Sequence, residues 1–514
     1  MGSLDSVSLN ELPSIMVVAL ATYIAYFYYK YLTRENPLPG PLPLPLIGNL
    51  HYVLKNGIIH TMCNLREEYG EFFELYLGGE RHICLSNEEM AKDTMTPKVH
   101  SNFHQRVDEN CGLSEIGMLN RGIVFNISYN DWQYNRKFFS KALLSPSFPK
   151  HAVAAVQTGF VEMCGYWDQL GEESVIDFSI WMRRYFMDII AITSSSKSTY
   201  ALASFYNQVN KKANVIIPSP GESEKFINAI DFVKVILEWF IFFPAYIRNF
   251  PGPNLLSKKY KRTFSWLDDY ILKAVEVRRA EIDATPEGRP LTPDILTMFL
   301  TVNTKKDITE GISDDAHDRP MTNEEVVGNY FEVMAGGINS GSSTICFLVY
   351  YVSHYPEVKQ KLLKEFETVI GRNLDTQITI DHLDMLEYTE AVIKEAYRLF
   401  TTVPILIKRN ENPAKLGDIA FPPNSTFLID LQALHKHKSL WSNPEKFDPD
   451  RFLKSSPESK NSFYMFGSGS RMCPGRDLAM IELKATLLLL YSRYDVEPVD
   501  MKEPINFLDT GIRT

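Results

Sequence analysis

A chain of 514 residues with 45% hydrophobic and 12% aromatic side chains has the material for a large packed interior. Its formal net charge of −10, from 53 basic against 63 acidic residues, argues against nucleic acid as a partner. The six cysteines (Cys63, Cys84, Cys111, Cys164, Cys346 and Cys473) show no C-x-x-C and no paired spacing, so a reducing compartment fits better than a disulfide framework.

From Leu12 to Leu32 the chain is nearly all apolar as far as Tyr29, about the length that spans a bilayer. Tyrosines gather at its far end, where amphipathic rings favour the headgroup region. Asp5 and Glu11 precede it while Lys30 and Arg34 follow, so the positive-inside bias places the downstream chain in the cytosol. No small-residue cleavage site is evident, and residues 1–34 read as an uncleaved membrane anchor. A buried core helix would share this composition, but the terminal position and flanking charges favour the anchor. Pro37, Pro39, Pro41, Pro43 and Pro45 then make residues 35–50 a stiff, extended hinge. No further linker divides the chain, so residues 51–514 form one domain. The sequons at Asn126 and Asn424 stay unmodified on the cytosolic side.

Residues 72–86 alternate apolar and polar around Gly78-Gly79, a β-hairpin pattern. From Trp132 to the early 300s helix-period segments dominate, among them Phe160–Leu170, Phe178–Thr193, Ile227–Phe243 and Ser265–Glu281. Trp132 and Arg136 form W-x-x-x-R and share one helix face, as residues of any amphipathic helix so spaced would. Residues 302–321, with Asp307, Glu310, Asp314, Asp315 and Asp318, read as a solvated loop. Thr322 and Glu325 have capping-box spacing and open a long helix that ends at Tyr355, before Pro356. Within Met334–Thr344 the glycines Gly336, Gly337 and Gly341 each weaken a helix by about 1 kcal/mol. Close approach of a flat ligand, or of a neighbouring helix, would account for them. Glu395 and Arg398 form E-x-x-R, neighbours at i,i+3 that can pair bidentately, and Phe447-Asp448-Pro449-Asp450-Arg451-Phe452 follows downstream. Short strands are expected around residues 404–409 and 416–429. The fold class is mainly α with a small β region (α+β).

The most specific signal is Phe466-Gly467-Ser468-Gly469-Ser470-Arg471-Met472-Cys473-Pro474-Gly475. It sets one cysteine in a tight glycine-rich loop before a helix. Inward amide N–H groups and a helix N-terminus favour a thiolate, which is a natural axial ligand for haem iron. An isolated cysteine would more simply be a small core residue. Here the surrounding F-x-x-G-x-R-x-C-x-G pattern resembles the haem-binding loop of the haem-thiolate monooxygenases, the cytochrome P-450 superfamily. The anchor and proline hinge resemble those of its microsomal members.

The resemblance implies the cytochrome P-450 fold and haem b (iron protoporphyrin IX), with Cys473 on the iron and Phe466, Gly469 and Gly475 shaping the loop. It implies that Trp132, Arg136, Arg471 and Arg409, eleven residues after Arg398, hold the haem propionates. It also makes Glu395, Arg398 and Arg451 a buried ion triad. Gly336-Gly337-Ile338-Asn339-Ser340 aligns with the family's [AG]-G-x-[DE]-T, so Asn339 stands where an acid is usual and Ser340 where threonine is. Asn339 can orient water but cannot ionise, while Ser340 keeps a hydroxyl; Thr344, Glu332 or waters remain as further members of a proton relay.

The implied reaction inserts one oxygen atom of O2 into a lipophilic small molecule at the endoplasmic reticulum. Electrons would come from NADPH through NADPH–cytochrome P-450 reductase, with cytochrome b5 as a second donor. The Asn339–Ser340 departure leaves open an isomerase or dehydratase working on an oxidised lipid without NADPH, and a haem-binding protein without catalysis. Residues 101–128 and 200–250 are expected to shape the pocket. Within them Phe226, Ile227, Phe232, Val233 and Phe240 fit either a lipophilic pocket or a membrane-facing surface.

Overall fold

The structure is a computed structural model and describes residues 12–95, 102–143, 145, 147–171, 174–219, 221–308, 319–371, 377–454, 462–510 and 512–513. The flanking acids Asp5 and Glu11 and most of the acidic run, residues 309–318, lie outside the described residues. Helix α1 (Leu12–Leu32) forms as expected; over Pro13–Leu32 its mean hydropathy is 1.3 and no residue is buried, with Tyr31 at its end packed edge-on against Tyr76. It is long and apolar enough to cross a membrane.

The proline segment is more than a spacer, because it is docked on the sheet. Arg34 Nε donates to Glu74 at 2.6 Å, Leu38 is buried, and Glu74 N donates to Pro39 O at 2.9 Å. Asn49 Nδ2 reaches the Pro41 carbonyl and its Oδ1 accepts from Tyr76 N at 2.9 Å. The strand thus serves the Pro39 carbonyl and the Asn49 side chain that of Pro41, while Ile47 N donates to Pro45 O at 2.9 Å within the segment.

After helix α2 (Leu50–Tyr69), strands β1 (Phe72–Leu77) and β2 (Glu80–Leu85) make the antiparallel hairpin about Gly78-Gly79, both at positive φ. Late in the chain come β3 (Ile405–Arg409), a small hairpin of β4 (Ala414–Leu416) and β5 (Ile419–Phe421), and β6 (Thr426–Asp430). The larger sheet runs β1-β2-β6-β3, with β2 and β6 parallel.

The rest is helical: α3 (Tyr129–Leu143), α4 (Phe148–Leu170), α5 (Phe178–Ser195), α6 (Glu222–Phe242), α7 (Pro253–Ala284), α8 (Asn323–His354), α9 (Glu387–Leu399) and α10 (Arg476–Arg493), with shorter helices between. The Thr322–Glu325 capping box is present at the start of α8. Its glycines divide by role. A Cβ on Gly337 would meet Ile190 of α5 at 2.4 Å and one on Gly341 would meet Phe186 at 2.2 Å, so both permit helix contact. A Cβ on Gly336 meets nothing within 4 Å, and this residue is exposed in mid-helix between half-buried neighbours.

Behind the sheet, Glu395 and Arg398 of α9 are fully buried. Glu395 accepts from Arg398 Nε at 2.7 Å, from Arg451 Nε at 2.9 Å and from Asp448 N at 2.9 Å. Arg398 also donates to the carbonyls of His435 and Pro444. Removing one partner from such a set leaves an uncompensated buried charge, at about 3–5 kcal/mol. His435, equally buried, accepts from Tyr464 N at Nε2, which puts its hydrogen on Nδ1 toward Thr401 Oγ1. Burial and the Arg398 charge push its pKa down to about 3.

Two outcomes follow from this packing. Gly341→Ala will destabilise the protein by about 1–3 kcal/mol through overpacking, whereas Gly336→Ala will leave stability equal or higher by up to about 1 kcal/mol; chemical denaturation of both variants checks the sign. For His435, the unfolded chain binds a proton near pH 6.5 that the folded chain refuses until about pH 3. Stability from this residue therefore falls by about 1.4 kcal/mol per pH unit on acidification below about 6.5. Urea unfolding at pH 6.5 and 5.0 should show a smaller acid loss in His435→Gln, and an unchanged loss would contradict the assignment.

Candidate active site

The Cys473 loop is built on backbone geometry. Gly467 (φ 70°) and Gly469 (φ 71°) take left-handed conformations that fold the chain into a short turn over Gly469–Arg471. Cys473 N then donates to Phe466 O at 2.8 Å, closing the loop before α10 begins at Arg476. The thiol is surrounded by protein yet opens onto accessible space instead of packing into the core. Burial pushes it up, while the Gly475 amide and the Arg136 and Arg106 guanidinium groups pull it down.

Cations gather beside that sulfur. Arg471 is buried and donates from Nε to His104 O (2.7 Å), from Nη1 to Ile123 O (2.5 Å) and from Nη2 to Asn126 O (2.5 Å). Its guanidinium lies 4.6 Å from the ring of the buried Trp132. Arg136, one turn further along α3, is pushed down by burial and raised by Cys473. Arg106 donates to Arg471 O at 3.2 Å, and burial pushes it down too. Lys408, 6% exposed, is pushed down to about 7 by burial and by Arg106 and Arg471.

Against these stands Glu332, the carboxylate among the described residues that acts on both Arg106 and Arg471. Burial pushes it up to about 7, and it accepts from Ile123 N (2.7 Å) and Val124 N (3.0 Å). Glu332 thus pins the 123–124 loop to α8, each of its carboxylate oxygens accepting one backbone N–H. The site carries more buried positive charge than it neutralises, and suits a ligand with two carboxylates.

Arg409 comes out differently from its sequence expectation. Its guanidinium pairs with Asp108 and donates to Thr426 Oγ1 at 3.0 Å, while its N–H bonds Gln105 O at 2.9 Å. Arg106 and Lys408 were not legible in the sequence. Arg106 sits in a stretch without a motif, and in a strand the neighbours 408 and 409 face opposite ways.

On α8, Ser340 lies one turn past the open Gly336 and donates to Gly336 O at 2.6 Å. Asn339 is buried, and Thr344 donates to Ser340 O at 2.7 Å beside Thr402. Phe226, Ile227, Val233 and Phe240 of α6 are buried in one cluster with Ile116, Met118 and Phe331, and Phe232 packs against it. They belong to the packed core and form no membrane-facing surface.

A family model described as Cytochrome P450 matches residues 38–513. This chain belongs to the cytochrome P450 family. Over 505 residues it is 26% identical to a steroid 17-alpha-hydroxylase/17,20 lyase of Mesocricetus auratus, covering 95% of this chain and 92% of the relative. It is 22% identical over 513 residues to cytochrome P450 3A27 of Oncorhynchus mykiss, covering 97% and 92%. The protein is a cytochrome P450 monooxygenase with a haem iron cofactor. The open thiol and the under-neutralised cations fit the iron and the two propionates of this P450's haem. Among the described residues no other group of three or more His, Cys, Asp or Glu could hold a metal ion.

Cys473→Ala should abolish the carbon monoxide difference band of thiolate-ligated haem. A variant that kept that band unaltered would overturn the assignment of the sulfur.

Proposed function

We propose that this P450 is anchored by α1 in the endoplasmic reticulum membrane, its domain on the cytosolic side. It inserts one oxygen atom of O2 into a lipophilic small molecule with electrons from NADPH, delivered by NADPH–cytochrome P-450 reductase with cytochrome b5 as a second donor. The observation that carries this reading is the open Cys473 thiol ringed by buried cations. The uncovered α1 supports the anchor. So does the rim beside it, where Tyr246 Oη donates to Leu46 O among the exposed Leu42, Leu44, Phe250 and Leu255. Residues 1–34 serve as the anchor, residues 35–50 as the hinge and residues 51–514 as the catalytic domain in this proposal.

Bound haem supplies the iron centre at which O2 is reduced and activated. Cys473 would hold the iron through sulfur, with the Gly475 amide stabilising its charge. Trp132, Arg136, Arg106 and Arg471 would hold the propionates. Phe466, Gly469 and Gly475 keep the loop shape. Gly336 leaves α8 open over the reacting space, and Ser340 Oγ holds a proton there, oriented by Gly336 O. Asn339 can position water but cannot supply a proton. The apolar wall of α6 keeps solvent from the substrate.

With reductase and a substrate that gives a spectral shift, Ser340→Ala should lower product formed per NADPH by about tenfold, with peroxide rising, while Ser340→Thr preserves it. Wild-type turnover of a lipid hydroperoxide without NADPH or reductase, and none with them, would replace this reading by the isomerase one.

A further inference from the structure

Strand β3 ends in two adjacent cations, and the structure treats them oppositely. The Arg409 guanidinium is paired with Asp108 and bonded to Thr426 Oγ1. Lys408 is more than nine-tenths buried, yet its ammonium makes no ion pair or hydrogen bond with any described residue. Its charged neighbours are Arg106 and Arg471, both cations.

Strand alternation explains the difference. Leu406 and Lys408 share one face of β3, and Leu406 Cδ1 lies 3.9 Å from where a Cβ of Gly467 would sit. That face therefore runs beside the Cys473 loop. Arg409 shares the opposite face with Thr426, its cross-strand partner. The bond from Arg409 N to Gln105 O brings Arg106 alongside the end of the strand. A lysine so largely enclosed, with only cations as charged neighbours, is unfavourable unless an anion joins them.

We propose that Lys408, and not its neighbour Arg409, is the β3 residue that holds a haem propionate. The inference rests on the haem-thiolate reading above. Arg106, Arg136, Lys408 and Arg471 then face Glu332 and two propionates, close to neutrality, whereas a set with Arg409 would leave Lys408 uncompensated. Arg409 serves as a brace, tying residues 105–108 to the sheet.

The test uses purified holoenzyme. Haem transfer to apomyoglobin and the reduction potential of the haem iron are measured for wild type, Lys408→Met, Lys408→Gln, Lys408→Arg and Arg409→Met. Haem loss should speed up about tenfold in Lys408→Met and Lys408→Gln, as expected for losing a charge-assisted hydrogen bond. The potential of both should move to more negative values, because a positive charge near the iron has gone. Lys408→Arg should restore both readouts, a rescue that a merely structural role for the lysine stem would not require. Arg409→Met should change them less than Lys408→Met does. An equal or larger change in Arg409→Met, or an unaltered potential and haem loss in both neutral Lys408 variants, would overturn the inference. Failure of the haem-thiolate reading itself would show separately, as a wild-type protein without the thiolate-type carbon monoxide band.

Discussion

Buried positive charge is what the architecture around Cys473 is organised to tolerate. Arg106, Arg136, Lys408 and Arg471 lie within one protein-lined region, and desolvation works against each of them. Water would satisfy these groups cheaply; protein can do so only with aimed carbonyls and a matching anion. Arg471 accordingly spends its donors on three backbone carbonyls from two segments, which locks the 104–126 region onto the Cys473 loop. Glu332 fastens the same region from the other side, through two backbone amides.

Helix α8 divides its glycines between two tasks. Gly337 and Gly341 let α5 approach closely, whereas Gly336 keeps one side of the helix bare where Ser340 points. Open space and close packing therefore occupy different faces of one helix, and Asn339, which cannot ionise, sits beside the hydroxyl of Ser340. The Ser340 hydroxyl is bonded to the carbonyl one turn back, which holds it in a single orientation.

What could be read in the sequence was what is local or carried by a dense motif. The hairpin at residues 72–86, the capping box at Thr322 and the E-x-x-R pair each depend on spacings of two to four residues, and each formed. The Arg451 partner, 56 residues from Glu395, was reached only through a family pattern. Strand parity is not legible in the same way. Counting from Arg398 selects residue 409, but which of two adjacent strand residues faces the site depends on register against β6 and on the bridge to Gln105. Arg106 carries no motif at all; its place follows from tertiary contacts of a loop. The docking of the proline segment was likewise hidden, since composition describes stiffness and says nothing about what the chain lies against.

That docking has a consequence for where the polypeptide can be shortened. Glu74, with a side chain 1% exposed, is neutralised by Arg34 from one side and Arg81 from the other. A chain trimmed to begin at Thr33 sheds the greasy helix and keeps this clasp, together with the strand contacts of Leu38 and Asn49. One begun at Pro37 leaves the acid with half its counter-charge. The boundary between a soluble, well-behaved catalyst and a weakened one thus falls within a few residues, at a place set by one carboxylate.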